Sequence, residues 1–277
     1  MQPLFGYPGG KSRAVKKIVE TLDLDLSKYR QVVEPFCGGA AFTLGTLPQG
    51  GEGWLNDMDF DLMALWMSIV HFPDALCDAV TSAKIEAEDF YRLREKLLKP
   101  RKQVTRKDAV VRCALDKLII HKISFSNMGE MSGSPVGGKN QTGAWKFDCR
   151  WKPDLICKRI KDASELLEGV CLTNWDYQTV FRWLRKDDFV FIDPPYVDAG
   201  AKCYKHSFTM ANHVALAKAV KSLRCEWAIT YDYHPSIVEM YSWADVYDLE
   251  FKYFMSSAYR SGETMKVGKE LLITNRS

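Results

Sequence analysis

Residues 187–196 read "DDFVFIDPPY". Four consecutive apolar side chains, Phe189 to Ile192, end on an acid and two prolines. Proline has no backbone N–H to give to a ladder, so a strand through this run must stop at Asp193. An uninterrupted apolar run also lacks the alternation of a half-exposed strand and fits one covered on both faces. The segment therefore demands an interior strand with a carboxylate at its C-terminal end. Open α/β sheets place their ligands at that end.

Other runs complete the pattern. "RQVVEP" at 30–35 is a short buried strand closing on Glu34 and Pro35; Gly38 and Gly39 follow, and "AAFTL" starts a helix. "GEGWLND" ends a second strand at Asn56 and Asp57, and residues 60–71 read as a helix. "EWAITYD" at 226–232 gives another strand, and "DVYDLEFKYFM" and "KELLITN" two late ones. Strands alternating with helices predict an α/β fold with a largely parallel sheet.

The middle of the chain is different. Val111, Ala114, Leu115, Leu118 and Ile119 fall on one face of a helix over 108–123. The following stretch, "SNMGEMSGSPVGGKNQTG" at 126–143, is too long for a simple connection, and long ordered loops tend to carry function. The net charge is only +3, yet residues 92–107 hold eight Lys or Arg against one Glu. Such a stripe suits a phosphate backbone, or is simply a solvated helix face. Residues 75–155 are therefore expected to be a helical, basic insert between 1–74 and 156–277, which form one α/β domain.

The remaining composition excludes several classes. Apolar runs such as "LMALWMSIV" at 62–70 fall short of the ~20 residues that cross a bilayer. No basic leader or apolar signal segment opens the chain, so a cytoplasmic protein is expected. The eight cysteines show no Cys-x-x-Cys and no zinc spacing, which predicts reduced thiols and no metal. The five histidines show no ligand spacing either, and packing is the expected role of His121 and His213.

Two Gly-rich segments bear on chemistry. "GYPGGKS" at 6–12 is one residue short of the four that a phosphate-binding loop needs between its first Gly and Gly-Lys-Ser. A nucleoside triphosphatase built on it is a remote alternative, since only five residues precede Gly6. Val33-Glu34-Pro35-Phe36-Cys37-Gly38-Gly39 places an acid and a Gly-rich turn at a helix start, where a ligand can approach the backbone. Asp57, at the end of the next strand, has the spacing of a carboxylate that accepts hydrogen bonds from a ribose. The same residues also fit a tight strand–helix turn with no ligand.

Taken in order, these segments resemble the Dam-type DNA adenine-N6 methyltransferases: Gly-Gly-Lys, Glu-Pro-Phe-x-Gly, the Asp-ending strand, an insert, then Asp-Pro-Pro-Tyr. The likeness continues through "CYKHSFTMANHVALAKAV" at 203–220, "ITYDYHPSIVEMY" and "KVGKELLITN". It implies a Rossmann-like, S-adenosylmethionine-dependent methyltransferase sheet with an inserted helical target-recognition domain, acting on double-stranded DNA. It also implies that Tyr7, Gly9, Gly10, Lys11, Glu34, Phe36, Cys37, Gly38, Asp57 and Asp193 surround the cofactor. Asp193, Pro194, Pro195 and Tyr196 form the catalytic tetrapeptide. An exocyclic adenine amine is a poor nucleophile because its lone pair is delocalised. Asp193 and the Pro194 carbonyl, each accepting one amine hydrogen, favour a tetrahedral nitrogen, and Tyr196 stacks on the flipped base. Cytosine-N4 methylation and RNA adenine methylation are the near alternatives. The Asp that opens the tetrapeptide favours adenine, and the absence of a Pro-Cys pair argues against methylation at a cytosine carbon.

The DNA side is expected to include Arg94, Lys99, Arg101 and Lys102 from the basic stripe. From the loop it would take Asn127, Lys139, Asn140, Gln141 and Trp145. Relatives that read GATC carry an Asn-Gly-[apolar]-[aromatic or Cys]-Arg hairpin there; here Asn127 survives and the Arg does not. This departure points to relaxed or non-GATC specificity, with the loop residues reading base edges or forming a solvated hairpin.

Overall fold

The computed structural model describes residues 4–100, 102–197, 203, 205–252 and 267–276. Arg101 lies outside them, as do parts of the late segments quoted above. The described elements run α1 (Val15–Thr21), β1 (Gln31–Glu34), α2 (Ala41–Thr46), β2 (Gly53–Asn56), α3 (Phe60–His71), α4 (Pro73–Ser82), α5 (Asp89–Leu98) and α6 (Lys107–Ile123). There follow α7 (Pro153–Leu166), β3 (Cys171–Thr173), α8 (Tyr177–Trp183), β4 (Asp188–Ile192), α9 (Met210–Lys221), β5 (Glu226–Asp232), α10 (Pro235–Met240), β6 (Asp245–Lys252) and β7 (Val267–Thr274).

The strands form one seven-stranded sheet in the order β3-β2-β1-β4-β5-β7-β6. β1 to β5 pair in parallel, while β7 runs antiparallel to both β5 and β6. The chain leaves β1 outward through β2 and β3, then returns to lay β4 on the other side of β1. That reversal opens a crevice at the C-terminal ends of β1 and β4.

Every residue of β4 is buried, as its unbroken apolar run requires. Phe189 and Phe191 join the core under α1–α3, where the Phe191 ring stacks on Phe42 at 4.1 Å. Val190 and Ile192 face the opposite core, with Val180 of α8 and Leu216 and Val220 of α9. The two-residue period of the strand thus divides its side chains between two layers of helices.

β3 and α7 were not evident in the sequence. α6 is also more deeply engaged than a one-faced helix. Val111, Ala114 and Leu118 belong to the main core, while Ile119, Ile120 and Ile123 pack with Phe90, Leu93 and Leu97 of α5. No single helix among the described residues is long and apolar enough to cross a membrane. All eight cysteines are free thiols.

Candidate active site

A cavity of about 290 Å³ opens at the crevice between β1 and β4. Its wall is built first from the turn after β1. Glu34 ends the strand, and its Oε1 accepts the Thr43 backbone N–H at 2.8 Å, tying the strand end to the first turn of α2. Burial pushes the Glu34 carboxyl up to about 8, opposed by the Thr43 hydrogen bonds. Gly38 has φ +47°, and a Cβ there would stand 2.7 Å from the Tyr7 ring. Glycine is thus required both by the left-handed backbone and by the close approach of the N-terminal loop.

Asp57 follows β2 and closes the opposite side. Its two oxygens accept the backbone N–H groups of Gly38 and Asp59, each at 3.0 Å. Burial raises its pKa to about 6 despite those bonds. Asn56 locks this corner. Its amide donates to the carbonyls of Pro35 and Trp175, and its oxygen accepts from the Thr173 hydroxyl and the Trp175 N–H. The ends of β2 and β3 and the turn after β1 are therefore one hydrogen-bonded unit.

The third wall joins the two ends of the chain. The Lys11 ammonium stands 3.0 Å from Asp193 Oδ1, 3.9 Å from Glu270 and 4.6 Å from the centre of the Tyr196 ring, and it donates to the Gly9 carbonyl at 2.7 Å. Asp193 Oδ1 also accepts the Thr230 hydroxyl at 2.7 Å. Its Oδ2 has no hydrogen-bonding partner among the described residues, and Asp193 lines the cavity. The turn "GYPGGKS" is held by the Gly10 N–H donating to the Tyr7 carbonyl at 3.0 Å. Gly6 packs so tightly on Asn127 that a Cβ would overlap it at 2.4 Å. Lys11 is thus held by carboxylates and by the turn's own Gly9 carbonyl.

Of the expected cofactor residues all but Gly9 line the cavity. Tyr7, Gly10, Lys11, Glu34, Phe36 and Cys37 line the cavity, as do Gly38, Asp57, Asp193 and Pro195. Cys37 is buried, and burial, then Asp57 and Glu34, raises its thiol well above the ordinary value.

Several lining residues escaped the sequence reading. Trp175, Asp176 and Tyr177 follow β3, and Tyr177 meets the Phe36 ring at 5.3 Å, with Phe208 5.7 Å from Phe36. The signal, "NWDY" after a strand, was hidden because β3 has only three residues. A buried charge cluster forms another part of the wall. The Lys117 ammonium donates to Asp59 and to Glu130, both at 2.6 Å, and Lys205 lies 3.8 Å from Asp59. Burial works against the Lys117 ammonium, but the two carboxylates outweigh it and hold its pKa above the usual range. Burial, then Lys117, brings His121 down to about 4, and the ring packs against Phe5 and Tyr7.

The residues expected on the DNA side are spread more widely. Arg94 Nε donates to the carbonyls of Glu130 and Ser132 and so braces the loop. Lys99 pairs with Glu95, Lys96 with Asp116, Arg92 with Asp89 and Arg106 with Asp108, so local acids offset much of the basic stripe. The Gln141 amide donates to Val136 and Gly138 and accepts from the Phe147 N–H, which commits it to holding the loop. Lys139, Asn140 and Trp145 are exposed at the loop's tip, Trp145 at 72%. Lys102 is also exposed. Among the described residues, no group of three or more His, Cys, Asp and Glu side chains could hold a metal ion.

The chain is 23% identical to the type II methyltransferase M.MjaIII of Methanocaldococcus jannaschii over 80% of each chain. It is 23% identical to M1.LlaDCHI of Lactococcus lactis subsp. cremoris, covering 80% of this chain and 77% of that one. It is 24% identical to M.CviBI of Paramecium bursaria Chlorella virus NC1A, covering 81% and 80%. Residues 7–266 match the model of the D12 class N6 adenine-specific DNA methyltransferase family, and the chain belongs to that family.

Proposed function

We propose that S-adenosylmethionine is the methyl donor and that it is held in the cavity between the Tyr7 loop, the Glu34–Gly38 turn and Asp57. The observation that carries this reading is the meeting of Lys11, Asp193 and Tyr196 at the rim of a cavity whose interior holds Asp57 and Glu34. The donor set fits the cofactor's chemistry. Asp57 offers a half-buried carboxylate to a ribose diol, and Phe36, Tyr177 and Phe208 offer aromatic surface to a purine. When bound, the cofactor supplies an electrophilic methyl group on a sulfonium.

The chain's own residues prepare the nucleophile. Asp193 Oδ2 accepts one hydrogen of the adenine amine, the Pro194 carbonyl accepts the other, and Tyr196 stacks on the flipped base. Thr230 and Lys11 fix Asp193 through Oδ1, so the carboxylate is oriented before the substrate arrives. Much of the rate enhancement is then positioning.

Residues 1–74 and 156–277 form the catalytic part, and 75–155 the target-recognition part. The exposed Lys139, Asn140 and Trp145 reach the bases from a loop braced by Arg94 and Gln141. The type II relatives support a site-specific enzyme, and the altered hairpin supports a site other than GATC.

Labelled S-adenosylmethionine and mixed-sequence duplex DNA test the reading. Label is expected in 6-methyladenine. Label in 4-methylcytosine alone, or none at all, would overturn it.

A further inference from the structure

A second cavity, of about 510 Å³, lies behind the wall of the first. Tyr7, Gly10, Gly39 and Ala41 line both. The second cavity's lining includes Lys122, Arg150, Lys152 and Arg159 but no Asp or Glu side chain.

Lys122 is the telling member. It is only 9% exposed. Its ammonium donates to the Leu4 carbonyl at 2.7 Å, and no carboxylate among the described residues pairs with it. Burial, then Arg159 and Arg150, depresses its pKa to about 8. Arg150 donates to the Ser124 carbonyl, while Lys152 is exposed at the cavity's edge. A buried cation beside further cations is costly unless an anion joins it.

We infer that this cavity is a phosphate site, and that its occupant is a backbone phosphate of the DNA strand whose adenine enters the neighbouring cavity. The inference rests on the proposed entry of the target base beside Asp193. The substrate is a polyanion, the exposed Lys152 lines the cavity, and the shared wall at Tyr7 and Gly10 puts it beside the reacting centre. Phosphate contacts of this kind fix register without reading sequence.

The test uses the whole protein, a duplex containing an unmethylated target adenine, and the variants Lys152→Gln and Lys152→Gln/Arg159→Gln. Binding is measured against salt concentration. Each lost phosphate contact should reduce the slope of log Kobs against log [salt] by about 0.9. A duplex carrying one neutral methylphosphonate beside the target adenine should bind the wild type more weakly, and the double variant should be nearly indifferent to it. The single variant changes an exposed residue, so its slope reports on the site even if the double variant is unstable. Unchanged slopes, with equal methylphosphonate effects in both proteins, would overturn the assignment. So would variants that lose inorganic phosphate binding while keeping the wild-type DNA slope, since the cavity would then be a free-phosphate site. Methyl transfer by the wild type is recorded on the same duplex. No transfer alongside the expected slope changes would sink the proposed reaction and leave the phosphate site standing.

Discussion

The Lys11 ammonium and the Asp193 carboxylate, far apart in the sequence, meet at 3.0 Å with the lysine side chain only 3% exposed. The N-terminal loop and the end of β4 therefore cannot be placed independently. Replacing Asp193 with Asn keeps the shape and removes the charge that Lys11 and Thr230 hold in position. Methyl transfer is expected to fall by about 10²–10³-fold, the scale of losing one preorganised polar group at a reacting centre. DNA affinity should stay within about threefold. A variant with wild-type turnover would refute the role given to Asp193.

Gly38→Ala would force a left-handed residue to carry a Cβ 2.7 Å from the Tyr7 ring. The backbone alone costs about 1–2 kcal/mol. Moving Tyr7 should in addition raise the KM for the methyl donor. Thermal unfolding should show the loss, and Gly38→Ala/Tyr7→Ala should recover part of it, because the overlap then has no partner. Additive effects of the two substitutions would mean that the ring and the turn are not coupled.

Much of this site was legible because its residues sit where strands end. Glu34, Asp57 and Asp193 each follow an apolar run, and local chemistry fixes where such runs stop. β3 offered no such signal: of Cys171, Leu172 and Thr173 only Thr173 is buried, so no apolar run announced the strand or the Trp175–Tyr177 segment after it. The Lys117 cluster was hidden for a different reason. Asp59 caps α3, Lys117 lies on α6 and Glu130 in the loop, and only tertiary packing brings the three together. The pairing within the basic stripe was hidden in the same way, because Lys96 meets Asp116 across two helices.

Glu34 makes stability depend on pH in a definite direction. Its ordinary value is 4.5 and its folded value about 8, so between the two the folded chain keeps a proton that the unfolded chain has released. The contribution is fully present below 4.5, declines as pH rises, and is lost above 8. From pH 6.5 to 8 other shifted groups act in the opposite sense: His121 and His213 lose protons near 6.5 in the unfolded chain and Lys122 loses its own near 8 in the folded one, so the Glu34 contribution is read as the difference between the wild type and a Glu34 variant. Denaturant unfolding in that window should show the wild type losing stability relative to Glu34→Gln by about 1.4 kcal/mol per pH unit near pH 6.5, and by less as pH approaches 8. Glu34→Gln can still accept the Thr43 N–H. An equal slope in the variant would show that Glu34 is already ionised.

Lys117→Met should be the most damaging of these substitutions. It leaves Asp59 and Glu130, 4% and 3% exposed, without the cation they share. Breaking a buried ion pair from one side costs about 3–5 kcal/mol. In the wild type, Lys117 holds Asp59 and Glu130 below their ordinary values, outweighing burial, so their contribution is lost as pH falls. In the variant, burial without Lys117 raises both groups, so acid allows them to protonate and relieves the strain. The stability gap should therefore narrow from pH 8 to pH 5, as measured by denaturant midpoints. Adding Glu130→Gln to Lys117→Met should recover part of the loss at pH 8, since one of the two carboxylates is then neutral. A gap that is constant across this pH range would assign the loss to packing of the lysine stem and not to its charge.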